Sequence, residues 1–152
     1  MPLLDASAVL DLWKNYPIGQ FPTVWSWFQT EVQKGNLTIP SVALTEVGHR
    51  DMACRTTLKG YGIVEQGIGN REALAATAIK SSLGITNDAY GGGVDENDIF
   101  IISIAKVLGV ELITNEIRQQ DLPNQMKRYK IPAVSVPTLN MLEYIIRSGT
   151  VF

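Results

Sequence analysis

Four carboxylates stand out for where they fall in the chain: Asp5, Glu46, Asp98 and Glu116. Asp5 closes a short apolar run that begins at Pro2, and Glu46 lies about one and a half turns into the helical pattern after a second run at 37–39. Asp98 opens an apolar helix, and Glu116 follows a further run at 110–114. Asp95, three residues before Asp98, would share its face on a first helical turn. Five acids placed in this way could converge on one pocket, because a parallel sheet gathers its ligands beyond the carboxyl ends of its strands. Clustered carboxylates repel one another in a low-dielectric site, so they either take up protons or bind a cation. Hard divalent ions, Mg²⁺ or Mn²⁺, suit such oxygen donors and leave positions open for phosphates. In phosphodiester hydrolysis the ion activates a water, neutralises the phosphoryl oxygens and stabilises the leaving alkoxide. Taken singly, each acid also has a plainer use. Asp98 can be an N-cap, and Asp95 and Glu96 can favour the positive end of a helix dipole. Asp5 is the hardest to explain that way. It sits in Leu3-Leu4-Asp5-Ala6-Ser7-Ala8-Val9-Leu10, and a carboxylate buried among such residues needs a partner or a metal.

The scarcest residues exclude the most chemistry. A single cysteine, Cys54, forbids an internal disulfide and a multi-cysteine zinc or iron–sulfur site and points to a reducing compartment. A single histidine, His49, forbids paired-histidine metal sites; three residues after Glu46, it could approach the pocket, but a metal mechanism does not need it. With 152 residues, 45% apolar and 18% charged, the chain has the composition of one globular domain spanning 1–152. The net charge of −2 means that any nucleic-acid contact must come from a local patch. No apolar run approaches the roughly 20 residues needed to span a bilayer, and no basic segment opens the chain, so a cytoplasmic protein is expected.

Those acids need elements to carry them. The pattern predicts a strand at 2–5 feeding a helix with Ser7 as N-cap, a second helix from about 23 to 34, and a strand at 37–39. One helix then runs from Pro40 and Ser41 to about Lys59, with Val42, Ala43, Val47 and Cys54 inward and Arg50, Arg55 and Lys59 on a more polar side. A short strand at Ile63 and Val64 precedes an alanine-rich helix over 71–83. Residues 87–97, with Gly91-Gly92-Gly93, are the least structured. The helix at 98–108, apolar almost all round, is a buried one, and Gly109 ends it. Strands at 110–114 and 133–136 follow, then a helix carrying Leu139, Leu142, Ile145 and Ile146. Alternating strands and helices argue for an α/β fold, a three-layer α/β/α sandwich around a mainly parallel sheet.

At these residues the chain resembles the PIN-domain ribonucleases. The opening Leu3-Leu4-Asp5-Ala6-Ser7 is similar to their first motif, an aspartate ending strand one with a small polar residue two positions later. The segment from Asp98 through Gly109 to Thr114 and Glu116 looks like their third motif, an aspartate opening an apolar helix, then a glycine, a strand, and a threonine with an acid close behind. Glu46 falls where the family has its second acid. The resemblance implies that Asp5, Glu46, Asp98 and Glu116 are catalytic, metal-binding acids, with Asp95 a fifth ligand, and that Ser7 and Thr114 hold a carboxylate or water in place. It also implies an RNA substrate and, as in VapC-type pairs, a toxin that is held inactive by an antitoxin and often dimerises. Glu116 departs from the aspartate of many members, and its longer side chain would move or loosen a second metal.

Cations must lie near such a pocket to hold an RNA backbone. Arg50, Arg55 and Lys59 are candidates, as are Lys127, Arg128 and Lys130; a solvated helix face is the alternative. Trp13, Trp25 and Trp27 could stack bases or meet a partner, although aromatics at helical spacing usually fill a core, and Trp25 and Trp27 cannot both face inward. Gly67-Ile68-Gly69 lacks the third glycine of a dinucleotide loop. A dehalogenase-like phosphotransferase would need an acid where Ser7 stands, and a receiver would need its aspartate directly after a central strand. The expectation is therefore a Mg²⁺- or Mn²⁺-dependent endoribonuclease, with a catalytically degenerate PIN-like scaffold that binds RNA or a protein partner as the alternative.

Overall fold

The fold is taken from a computed structural model that describes residues 1–82, 96–116 and 136–149. Its elements run β1 (Leu3–Leu4), α1 (Ala6–Asn15), α2 (Pro22–Gln33), β2 (Thr38–Pro40), α3 (Ser41–Arg50), α4 (Met52–Gly60), β3 (Val64–Gln66), α5 (Asn70–Ser82), α6 (Glu96–Leu108), β4 (Leu112–Ile113), β5 (Thr138–Leu139) and α7 (Met141–Arg147). The five strands form one sheet in the order β3-β2-β1-β4-β5, and every neighbouring pair is parallel. Leu3 pairs with Thr38 on one side and with Leu112 on the other, so β1 is central.

Both faces of the inner sheet are covered. Successive side chains of a strand point to opposite faces, yet Leu3, Leu4, Leu112 and Ile113 are all fully buried. This explains why the strands read as continuous apolar runs rather than alternating ones. The edge strand β3 differs, with Val64 and Glu65 exposed. Glycine directs the chain from helix to strand after α2, α4 and α6, with Gly62 (φ 80°) between α4 and β3. Gly35 (φ 74°) and Gly109 (φ 66°) follow α2 and α6 in the left-handed region, and the Asn36 and Val110 amides close back onto the carbonyls of Glu31 and Ala105.

The core sits around α6 and the aromatic side of α2. Ile99, Ile101, Ile102, Ile104 and Ala105 are buried, and the buried Ser103 hydroxyl is satisfied by donating to the Ile99 carbonyl at 2.6 Å. Phe28 and Trp25 are core, as the helical spacing requires, whereas Trp27 is half-buried against Tyr144. Trp13 meets Trp25 edge to face at 5.5 Å.

The described residues differ from the sequence-based expectation in several ways. The buried helix expected from Asp98 begins at Glu96, inside the stretch expected to be least structured, so Asp98 lies within its first turn and does not open or cap it. The helix expected over 40–59 is two helices, broken at Asp51, whose Oδ1 accepts from the Cys54 amide as the N-cap of α4. This places Arg50 on one helix and Arg55 and Lys59 on another. Ser7 does not cap α1; Asp5 holds the N-cap position, with no side-chain cap bond, and Ser7 is inside the helix. Leu139 belongs to β5 rather than to the last helix, which starts after the Asn140–Glu143 capping box, and Leu142 and Ile146 are exposed. Val136 is not in a strand, and the rest of the strand expected at 133–136 lies outside the described residues, as do Asp95, Gly91-Gly92-Gly93 and the basic group at Lys127, Arg128 and Lys130. Among the described residues no helix is long and apolar enough to cross a membrane.

Candidate active site

The strand order reverses direction between β1 and β4: β2 and β3 lie to one side of β1, and β5 lies beyond β4. Chains leaving the carboxyl ends of such a pair diverge and open a crevice. Asp5 directly follows β1 and Thr114 directly follows β4, so both stand at this reversal. Their backbones are locked to the sheet, the Asp5 amide donating to the Ile113 carbonyl at 2.8 Å and the Thr114 amide to the Leu139 carbonyl at 2.8 Å.

Asp5 is 2% exposed and Thr114 fully buried. The Thr114 hydroxyl donates to Asp5 Oδ2 at 2.7 Å, and the Ser7 hydroxyl donates to the same oxygen at 2.7 Å. The two hydroxyl oxygens lie 3.1 Å apart. A buried carboxylate is tolerable only when hydrogen-bonded, and two donors on one oxygen also fix the plane of the group. The hydroxyls serve the next turn of chain as well. Ser7 Oγ accepts from the Asn115 amide at 3.0 Å, and Thr114 Oγ1 from the Glu116 amide at 3.2 Å. Ser7 and Thr114 therefore clamp the Asp5 carboxylate and tie the segment bearing Glu116 to it.

Above this network lies an open cleft whose wall includes Ser7, Asp11, Glu46, Arg50, Asn115 and Glu116. Glu46, half-buried in the second turn of α3, and Glu116, half-buried beyond β4, thus face one space. Asp98 lies in the first turn of α6, 8% exposed, on a helix that packs against α3. Arg50 reaches the cleft, but Arg55 and Lys59 do not line it. Arg55 instead lies across Gly48 of α3, where an added Cβ would stand 2.6 Å from its Cδ. His49 is exposed and does not line the cleft.

Sequence reasoning misses Asp11 and Asn115. Asn115 Nδ2 donates to Asp11 Oδ2 at 3.0 Å, and its Oδ1 accepts from the Met141 amide at 2.9 Å, joining α1, the end of β4 and the start of α7. Asp11 is detectable in principle, standing four residues after Ser7 on the same helix face. Nothing in the sequence announces the contacts of Asn115. Asp51, five residues after Glu46 and just past the end of α3, is structural. Besides capping α4, it accepts from the Trp13 indole through Oδ2 at 2.9 Å. It follows a helix rather than a strand, which does not suit a receiver.

The donors at this end of the sheet are carboxylate and hydroxyl oxygens, the types that Mg²⁺ and Mn²⁺ accept. Among the described residues, however, no group of three or more histidine, cysteine, aspartate or glutamate side chains is gathered closely enough to hold a metal ion. The donor chemistry fits a hard cation, whereas the gathered arrangement is not present among them.

No curated protein matches the chain in sequence. Among solved structures it is similar to a chain of VapBC2 from Rickettsia felis bound to a DNA fragment from their promoter, with a TM-score of 0.54 and 14% identity over 91% of this chain and 96% of that one. That likeness is one of fold, and the all-parallel sheet flanked by helices is PIN-like. The family model described as a domain of unknown function, DUF4411, matches residues 3–152, and with nearly its whole length so covered the chain belongs to that family.

Proposed function

We propose that the chain is a Mg²⁺- or Mn²⁺-dependent endoribonuclease, the toxin of a toxin–antitoxin pair. The observation that carries this reading is the Asp5 carboxylate. It is buried at the strand-order reversal, forgoes capping its own helix, and is clamped through Oδ2 by Ser7 and Thr114 beneath a cleft lined by Glu46 and Glu116. A protein that needed only a helix cap would not retain a clamped buried charge there. The candidate ligands are Asp5, Glu46, Asp98 and Glu116, with Asp95 as a fifth. The four described acids are not gathered closely enough here to hold an ion, so binding would have to draw them together. When bound, the ion would lower the pKa of a water and offset charge on the phosphoryl oxygens. The residues of this chain would orient the acids: Ser7 and Thr114 through Asp5, and Thr114 through the Glu116 amide. The PIN-like fold and the two motif resemblances support an RNA substrate, an antitoxin partner and a homodimer.

A second reading is a catalytically degenerate scaffold that binds RNA or a protein partner. It is favoured by the lack of a gathered metal-binding group among the described residues. The two are separated by incubating an end-labelled RNA of mixed structure with the purified protein in Mn²⁺, Mg²⁺ or EDTA, beside identically prepared Asp5→Asn and Asp98→Asn. The nuclease reading expects metal-dependent cutting that falls by about a hundredfold or more in each variant. Cutting that persists unchanged in Asp98→Asn would overturn the site assignment, and no cutting with either metal would favour the scaffold.

A further inference from the structure

Two clefts meet along α1. The one lined by Glu46 and Glu116 shares Leu10, Asp11 and Arg50 with a second, open cleft that continues past Trp13, Lys14 and Asp51. Arg50, exposed in the last turn of α3, stands at the junction, and Lys14, exposed near the end of α1, lines the far part. Among the described residues neither cation makes an ion pair or a side-chain hydrogen bond, although carboxylates line the same walls. Those aspartates are engaged with the wall itself. Asp11 accepts from the Asn115 side-chain amide, and Asp51 accepts from Cys54 and from the Trp13 indole. The indole is held from two sides, by Asp51 and by edge-to-face contact with Trp25. Two cations without a partner among the described residues and a fixed, half-buried aromatic ring lie along one groove that opens from the acidic cleft. That combination suits a single-stranded polynucleotide, whose phosphates seek cations and whose bases seek aromatic surface.

We propose that this second cleft binds the RNA strand flanking the scissile phosphodiester, with Arg50 and Lys14 each taking a backbone phosphate. The proposal rests on the reading of the first cleft as the nuclease centre. From Ser7 to Lys14 the helix advances about 10 Å, enough for a few nucleotides of a strand leaving that centre. Both cations also lie at helix carboxyl ends, where the dipole favours them. A role confined to the dipole would change stability without changing how RNA binding responds to salt.

The test is fluorescence anisotropy of a labelled oligouridylate with the full chain in EDTA, over a series of NaCl concentrations. The wild type is compared with Arg50→Ala, Lys14→Ala and Lys106→Ala. Lys106 is an exposed cation in the last turn of α6 and serves as the matched control. Arg50→Ala and Lys14→Ala should each weaken binding by roughly three- to tenfold and flatten the slope of log K against log salt by about 0.7, whereas Lys106→Ala should do neither. An oligothymidylate of the same length should show the same losses, since phosphates carry the contact. Affinity and slope in Arg50→Ala and Lys14→Ala equal to those of Lys106→Ala, or losses confined to the uridylate, would overturn the proposal. Binding in EDTA requires no turnover, so this outcome is independent of the cleavage assay. Loss of cutting with the groove effects intact would refute the nuclease alone, and cutting with unchanged binding would refute the groove alone.

Discussion

Replacing Thr114 by valine removes one hydroxyl from a fully buried position and leaves the volume nearly unchanged. That hydroxyl donates to the Asp5 carboxylate at 2.7 Å and accepts from the Glu116 amide at 3.2 Å. A hydrogen bond to a charged group contributes about 1.5–3 kcal/mol, and the second, longer bond to a half-buried amide adds up to about 1 kcal/mol. Thr114→Val should therefore destabilise by about 2–4 kcal/mol, or lower Tm by roughly 4–16 °C for a chain of this size. Thr114→Ser keeps the hydroxyl and deletes a methyl group, which costs about 0.8 kcal/mol of transfer energy and up to about 1.5 kcal/mol with the cavity. The order of the two variants is thus the diagnostic. If packing alone governed the site, valine would be the milder change; if the clamp governs it, serine is the milder. Urea denaturation of both, with m-values compared, reads the order directly. Valine as stable as the wild type, or more stable than serine, would refute the claim that Thr114 is present to hold Asp5.

Three further predictions address other parts of the molecule. Asp51→Ala removes the cap of α4 and the acceptor of the Trp13 indole, so it should cost about 2–3 kcal/mol in urea denaturation, whereas Asp51→Asn, which keeps an acceptor, should cost less than half of that. Burial, reinforced by the Asp51 charge, pushes the Cys54 thiol from its ordinary 9.0 up to about 12, and burial together with Glu31 pushes the Tyr144 hydroxyl from 10.0 up to about 12. Both groups stay protonated longer in the folded chain than in the unfolded one. Their contribution is complete below about pH 9 and is lost as pH rises toward about 12. Stability should fall across that interval, and more shallowly in a Cys54→Ala/Tyr144→Phe variant; an identical alkaline limb in the two proteins would contradict the burial argument. Finally, if the acids hold a divalent ion, Mn²⁺ should raise Tm with concentration in the wild type, and the rise should vanish in Asp98→Asn. A rise preserved in that variant would move the ion elsewhere.

Much of the architecture follows from local sequence because it rests on local physics. Continuous apolar runs such as Leu3-Leu4 and Leu112-Ile113 mark strands buried on both faces, and glycines after α2 and α6 mark helix ends that must turn left-handed. Pattern alone likewise puts Asp5 and Thr114 at strand ends, as the last residues of strands expected at 2–5 and 110–114; the structure shortens both strands and leaves each residue one position beyond. Pattern misleads where a short polar side chain has two local uses. Asp51 fits the polar face of one long helix as well as it fits a cap, and Ser7 fits a cap as well as a clamp. Only the third dimension chooses between them. The Thr114–Asp5 bond joins residues 109 positions apart, and the Asn115–Asp11 bond residues 104 apart. No periodicity encodes such a pair, because what brings its members together is the pairing of β1 with β4 in one particular register. Local pattern is thus enough to say which residues could do chemistry and at which strand ends they stand. Which of them share a cleft, which are bound into its wall, and which cations among the described residues line it without a partner are matters of strand order and helix breaks, and no spacing along the chain encodes those.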